Sequence, residues 1–168
     1  AIETARVASV AAVVAYEPAY LVDEYRETAD LAARMQARLD AGEPAEATKL
    51  HLREVLRDDI DDIDAWLDEW PVWPAPVDHV ENTIRMNRAL ENHPLPDSLD
   101  VDAPVLLLTG SEGPSHLRES VRAVHEALPD SRLVEFEGVG HSGPTEAPDR
   151  TAEAVRDFLA TVTPARAA

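Results

Sequence analysis

Between Pro104 and Gly110 the chain reads Pro-Val-Leu-Leu-Leu-Thr-Gly, with four large apolar residues in succession and no polar residue alternating among them. A strand with one face in water alternates apolar and polar side chains. A run without alternation must be covered on both faces, as in a parallel sheet with helices above and below it. A second such run, Val10-Ala11-Ala12-Val13-Val14-Ala15-Tyr16, stands near the beginning and is ended by Glu17-Pro18. A third, Arg132-Leu133-Val134-Glu135-Phe136, follows the breaker Pro129-Asp130. Leu117, Val121, Val124 and Leu128 mark an amphipathic helix behind the central run. Val155, Phe158, Leu159 and Val162 mark another, from Thr145 to Thr161. With Ala1 to Ser9 read as helix-compatible, these elements predict an α/β fold built on a parallel sheet.

The sheet pattern is interrupted by a long helical stretch. Leu21, Tyr25, Thr28, Ala32, Met35 and Leu39 recur at alternating spacings of four and three, one seam on one helix. Gly42 closes that helix and Pro44 opens a second, to Arg57, with Ala47, Leu50, Leu52, Val55 and Leu56 toward a core. A third, Asp59 to Trp70, carries Ile60, Ile63, Leu67 and Trp70 on one face and an acidic run on the other. Pro71-Val72-Trp73-Pro74-Ala75-Pro76 is a turn, because each proline removes a donor and biases its predecessor toward extended backbone. A fourth helix, Val77 to Asn92, turns Val77, Val80, Ile84 and Leu90 inward. The organisation is therefore a first helix and strand in residues 1–18, a helical insertion in 19–100, and a closing β-α-β-α part in 101–168.

Charge and composition narrow the function classes. Thirty-three acidic residues against fifteen basic ones give a formal charge of -18, and Lys49 is the only lysine. Such a surface repels phosphate backbones and anionic bilayers, which argues against nucleic-acid and peripheral-membrane roles. It suits a protein that stays soluble in concentrated salt, so a halophilic cytoplasm is the expected setting. The absence of cysteine excludes disulfides, a thiolate nucleophile and zinc-thiolate sites. No apolar run approaches the roughly 18 residues that span a bilayer. There is no glycine-rich phosphate loop.

In open α/β sheets, catalytic groups sit on loops at the carboxyl ends of the strands. The loop Gly110-Ser111-Glu112-Gly113-Pro114 offers a carboxylate, and Gly138-Val139-Gly140-His141-Ser142-Gly143 an imidazole. An acid followed about 30 residues later by a histidine is the second part of the order Ser, Asp/Glu, His. The stretch from Val105 to Leu159, with Leu106-Leu107-Leu108-Thr109-Gly110-Ser111-Glu112 and Gly138-Val139-Gly140-His141, resembles the end of the α/β-hydrolase family. Residues 1–18, including Val14-Ala15-Tyr16-Glu17-Pro18, resemble the family's helix after the nucleophile and the strand leading into its helical cap. The cap itself is matched by position.

The resemblance implies that His141 is the general base and that Glu112 holds its tautomer, although many members carry an aspartate one residue later, where this chain has Gly113. It implies a small-molecule ester, acyl or carbon-carbon substrate and no cofactor. The family's nucleophile lies in Gly-x-Ser-x-Gly at a tight strand-to-helix turn, and this chain has no such motif. The nearest sequence, Gly140-His141-Ser142-Gly143-Pro144, fails at its fifth position, and Ser142 reads as a loop residue. The resemblance therefore places the serine upstream of Ala1, together with five strands and the oxyanion loop. The chain is then a C-terminal part whose partner is the N-terminal half of the same fold.

Other constellations carry less. Asp58-Asp59-Ile60-Asp61-Asp62-Ile63-Asp64 has isoleucines at every third place, which marks a helix with a solvated acidic face, where a calcium loop needs alternate acids and a glycine. His51, His79, His93, His116 and His125 lack metal-ligand spacing. Trp66, Trp70 and Trp73 either line the substrate side of a cap or join the cap helices to one another. Two rivals to the enzyme reading stand: a non-catalytic module, either a capped ligand binder or a degenerate hydrolase with a scaffold or sensory role, and a split gene product that pairs through an open sheet edge.

Overall fold

The computed structural model of the chain describes residues 1–23, 25, 29–56 and 60–162. It divides into two compact units, one of Ala1–Val22 with Leu95–Ala168 and one of Asp23–Pro94. Thr28 of the first expected seam lies outside the described residues, as do Arg57, Asp58 and Asp59 between the second and third expected helices. No helix among the described residues is long and apolar enough to cross a membrane.

The first unit is a three-stranded parallel sheet with helices. A single turn, α1 (Ile2–Ala5), precedes β1 (Val13–Tyr16). Then follow β2 (Val105–Gly110), α6 (Ser115–Ala127), β3 (Ser131–Phe136), the short α7 (Gly143–Glu146) and α8 (Pro148–Thr161). The numbers α2 to α5 belong to the second unit. The strand order is β1-β2-β3, with Val13 opposite Val105 and Val105 opposite Ser131.

All six residues of β2 are buried, as its unbroken apolar run requires. Successive side chains point to opposite faces of a strand, and the core divides accordingly. Val105 and Leu107 pack with Ile2, Leu99, Val101 and with Val121 and Val124 of α6. Leu106 and Leu108 pack with Phe136, Val139 and Phe158 of α8. Each leucine taken fully out of water contributes roughly 1.5–3 kcal/mol.

Three expectations change at the edges of these elements. The first strand begins at Val13, three residues later than expected, because Val13 N–H already bonds the carbonyl of Pro104 and the neighbouring strand offers no earlier partner. Val10 is left 36% exposed. The expected helix over Ala1–Ser9 shortens to one turn, since only Ile2 and, partly, Ala5 find a core to pack against and so short a helix has little intrinsic stability. The last helix starts at Pro148, after Ala147 adopts φ -134 and ψ 61, because a residue before proline is pushed out of the helical region. Leu159, expected inside, is 49% exposed beside the buried Phe158.

The second unit is all helical: α2 (Leu31–Asp40), α3 (Pro44–Leu56), α4 (Ile63–Glu69), a 3-10 turn (Ala75–His79) and α5 (Val80–Asn92). Met35, Ala47, Val80 and Ile84 form its core, with Leu31, Leu39 and Leu50 against them. The long seam from Leu21 is cut at Asp30, whose backbone is not helical (φ -142, ψ 8), so Leu21 takes no part in α2. Gly42, at φ 79, ends α2 in the left-handed conformation that glycine adopts without strain.

The third expected helix starts at Ile63, because the Asp62 carboxylate accepts the amides of Asp64 (3.0 Å) and Ala65 (3.2 Å) and caps it there. Asp64 pairs with Lys49 at 2.6 Å, and Lys49 also reaches Glu46. The fourth expected helix divides into the 3-10 turn and α5, whose inner face adds a buried Asn87.

Candidate active site

All three strands deliver their carboxyl ends to one edge of the sheet, and the groups there come from each. The loop after β3 carries His141. Its Nδ1 lies 2.5 Å from Oε2 of Glu17, the residue immediately after β1. The imidazole is 40% exposed, whereas the Glu17 side chain has no exposure at all.

A buried carboxylate needs hydrogen bonds, and Glu17 has them. Its Oε1 accepts the hydroxyl of Thr109 (2.9 Å) and the amide of Gly110 (3.2 Å), both at the end of β2. Its own amide continues the sheet by donating to Leu108. Its backbone stands at φ 42, in the left-handed region, a conformation that costs a non-glycine residue about 1–3 kcal/mol and that clusters at functional sites. The chain beyond it is tied down by the fully buried Ser120 of α6, whose hydroxyl donates to the Pro18 carbonyl (2.7 Å) and accepts the Tyr20 amide (2.8 Å).

Of the residues singled out in the sequence, His141 lies at this centre and Glu112 does not. Glu112 is exposed. Its carboxylate accepts the Ser111 hydroxyl at 3.3 Å and its amide donates to the Val139 carbonyl. The carboxylate that meets the imidazole is that of Glu17, where the sequence suggested Glu112, and the Glu17 carboxylate also occupies the inner side of the β2 loop. A Cβ at Gly113 would lie 2.6 Å from Glu17 Oε1, so a side chain at this position would have to displace that carboxylate. Glu17 stood in the sequence only as a strand terminator. The signal that identifies it is its place at the carboxyl end of a parallel strand, the same rule that selected the other two loops.

The glycines of Gly140-His141-Ser142-Gly143 are likewise explained by packing. A side chain at Gly143 would collide with the phenol of Tyr16, and one at Gly140 would crowd the Glu146 carboxylate. Ser142 is exposed and its carbonyl accepts the amides of Thr145 and Glu146, which starts α7.

Trp66, Trp70 and Trp73 lie in the second unit. Trp66 and Trp70 pack with ring centroids 5.0 Å apart, and all three are half-buried. His51 and His125 take up local contacts, with Asn87 and Ser131 respectively. Among the described residues, no three histidine, aspartate or glutamate side chains converge as a metal site.

A parallel sheet that brings a histidine and a buried carboxylate together at the carboxyl ends of its strands places the chain among α/β proteins, and the comparison with known families is specific. Residues 1–154 match the Alpha/beta hydrolase family, and the chain belongs to it. No curated protein matches the chain. Among solved structures it is similar to an α/β hydrolase from Sphaerobacter thermophilus, at 23% identity and a TM-score of 0.75, covering 94% of this chain and 62% of that one. It is similar also to a putative non-heme bromoperoxidase, BpoC, from Mycobacterium tuberculosis (23% identity, TM-score 0.61, 96% of this chain and 63% of that one). A third is the CarC enzyme, a serine hydrolase involved in carbazole degradation (17% identity, TM-score 0.57, 95% and 58%). The chain thus spans about three-fifths of the length of the structures it resembles.

Proposed function

We propose that this chain supplies the general base and its orienting carboxylate to a serine-type α/β hydrolase acting on a small or medium ester, or on a related acyl or carbon-carbon substrate. The observation that carries this reading is the contact between His141 Nδ1 and the buried, doubly hydrogen-bonded carboxylate of Glu17. A carboxylate on Nδ1 fixes the proton there and leaves Nε2 with its lone pair. Nε2 then takes the proton of a serine hydroxyl as the serine attacks the substrate carbonyl, Glu17 stabilises the resulting positive ring, and the proton passes on to the leaving group.

The serine is supplied from outside this sequence, which contains no Gly-x-Ser-x-Gly. The N-terminal part of the fold that would carry it adds to the sheet at β1, which, like β3 at the other side, has one edge with no partner among the described residues. The helical unit corresponds by its place in the chain to the family's cap, and Trp66, Trp70 and Trp73 within it are candidates for contact with substrate. The acidic, lysine-poor composition fits work in high salt in a halophilic cytoplasm.

The test is hydrolysis of short-chain p-nitrophenyl esters in high salt, with the 168-residue chain compared against the same chain extended upstream by its native coding sequence. Activity in the extended form, lost in His141→Ala and absent from the short chain, is the expected result. Activity in the short chain would return attention to Ser142. A folded but silent extended form would favour the non-catalytic, ligand-binding reading.

A further inference from the structure

The dipeptide Tyr16-Glu17 touches the histidine loop twice. Glu17 holds the ring of His141, and the Tyr16 hydroxyl donates to the Gly140 carbonyl at 2.5 Å. Neighbouring strand residues normally point to opposite faces, and the left-handed backbone at Glu17 breaks that alternation, so both side chains reach the same loop. From the other side, Glu146 of α7 accepts the Gly140 amide at 2.7 Å.

We infer that Tyr16 and Glu146 are positioning residues that lock the backbone before His141, so that its ring stays in register with Glu17. This rests on the proposed role of the Glu17–His141 pair. The physical reason is the identity of residue 140. A peptide chain bends only at φ and ψ, and glycine has more freedom there than any other residue. The peptide plane before Gly140 is held through its N–H by Glu146, and the plane after it through its C=O by Tyr16. With both planes fixed, the freedom of the glycine is removed without a side chain that would crowd Glu146.

The phenol is suited to this task. Its own burial first, and then the charges of Glu17 and Glu146, push its pKa up to about 12, so it remains a donor throughout the neutral range. Gly143, which has no side chain, provides the space in which the ring lies.

The experiment follows the ring Nδ1 proton of His141 by proton–nitrogen NMR on the 168-residue chain, with variants Glu17→Gln, Tyr16→Phe, Glu146→Ala and Glu146→Gln. The wild type is expected to show a far-downfield, slowly exchanging ring proton that Glu17→Gln abolishes. Tyr16→Phe and Glu146→Ala should each speed its exchange about tenfold, the factor that corresponds to one net hydrogen bond in the local opening equilibrium. Glu146→Gln, which keeps an oxygen acceptor, should restore slow exchange. A ring proton lost in Glu17→Gln but unchanged in both Tyr16→Phe and Glu146→Ala would overturn the positioning role alone. A ring proton missing from the wild type, or indifferent to Glu17→Gln, would remove the Glu17 reading and this inference with it. Glu146 is exposed, so its variants read the effect even if Tyr16→Phe perturbs folding.

Discussion

Gly113 and Glu17 share one space: a Cβ on Gly113 would lie 2.6 Å from Glu17 Oε1, so the carboxylate at the end of β1 stands where a side chain on the β2 loop would otherwise be. Gly113→Ala should therefore displace Glu17 and destabilise the protein by about 1–3 kcal/mol, the usual range for forcing atoms into a filled site. Urea denaturation together with the His141 ring resonance checks this. Full stability with an unmoved ring would mean that the site relaxes freely. If the two positions are alternative sources of one acid, Gly113→Asp combined with Glu17→Ala should orient His141 better than Glu17→Ala alone.

Glu17→Gln should lower kcat of the active, extended form by about 10^4-fold, the effect of replacing the orienting acid of a triad by its amide. The amide oxygen still accepts from Thr109 and Gly110, but its NH2 turns toward Nδ1 and forces the proton onto Nε2, the nitrogen that must accept. Glu112→Gln, at an exposed residue bonded to Ser111, should leave kcat within a few-fold. Ester hydrolysis at saturating substrate separates the two, and the opposite ranking would reinstate Glu112.

Ser120→Ala removes the hydroxyl that ties the Pro18 carbonyl and the Tyr20 amide to α6. Leaving buried backbone groups unpaired costs about 1–3 kcal/mol. The loss should appear both in chemical denaturation and as faster amide exchange at Tyr20. A variant as stable as the parent would show that the chain after Glu17 is held by other contacts.

His51 gives the helical unit a pH dependence. Asn87 Nδ2 lies 3.2 Å from its Nδ1 and can only donate, so the ring is held neutral there, and burial lowers its pKa below the ordinary value. The unfolded chain then binds more protons than the folded one once pH falls below about 6.5. Stability from this group is complete above that pH and declines as pH falls toward the folded pKa, by at most about 1.4 kcal/mol per pH unit. Comparing denaturation midpoints at pH 7.5 and 5.5 for wild type and His51→Gln isolates the contribution, and an equal loss in both proteins would assign it elsewhere.

The amino-acid pattern by itself determined the α/β class, the central strand and α6, because an unbroken apolar run and a 3.6-residue period are local signals of burial. It also singled out His141, since a histidine on a strand-end loop is visible in one dimension, and the fold places that histidine beside a buried carboxylate. Only the tertiary structure decided where β1 begins, because a strand extends only as far as its neighbour offers partners, and Val13 is the first residue that finds one. The cut at Asp30 and the cap at Asp62 depend likewise on backbone geometry that a seam of apolar residues does not record. The carboxylate that meets His141 was the least legible feature. Glu17 and His141 are 124 residues apart in the chain, and a carboxylate and a ring so far apart in sequence meet only when the fold buries the one and turns it toward the other. Parallel pairing of β1 and β2 does that here, with Thr109, Gly110 and the empty space at Gly113 forming the seat for its oxygen.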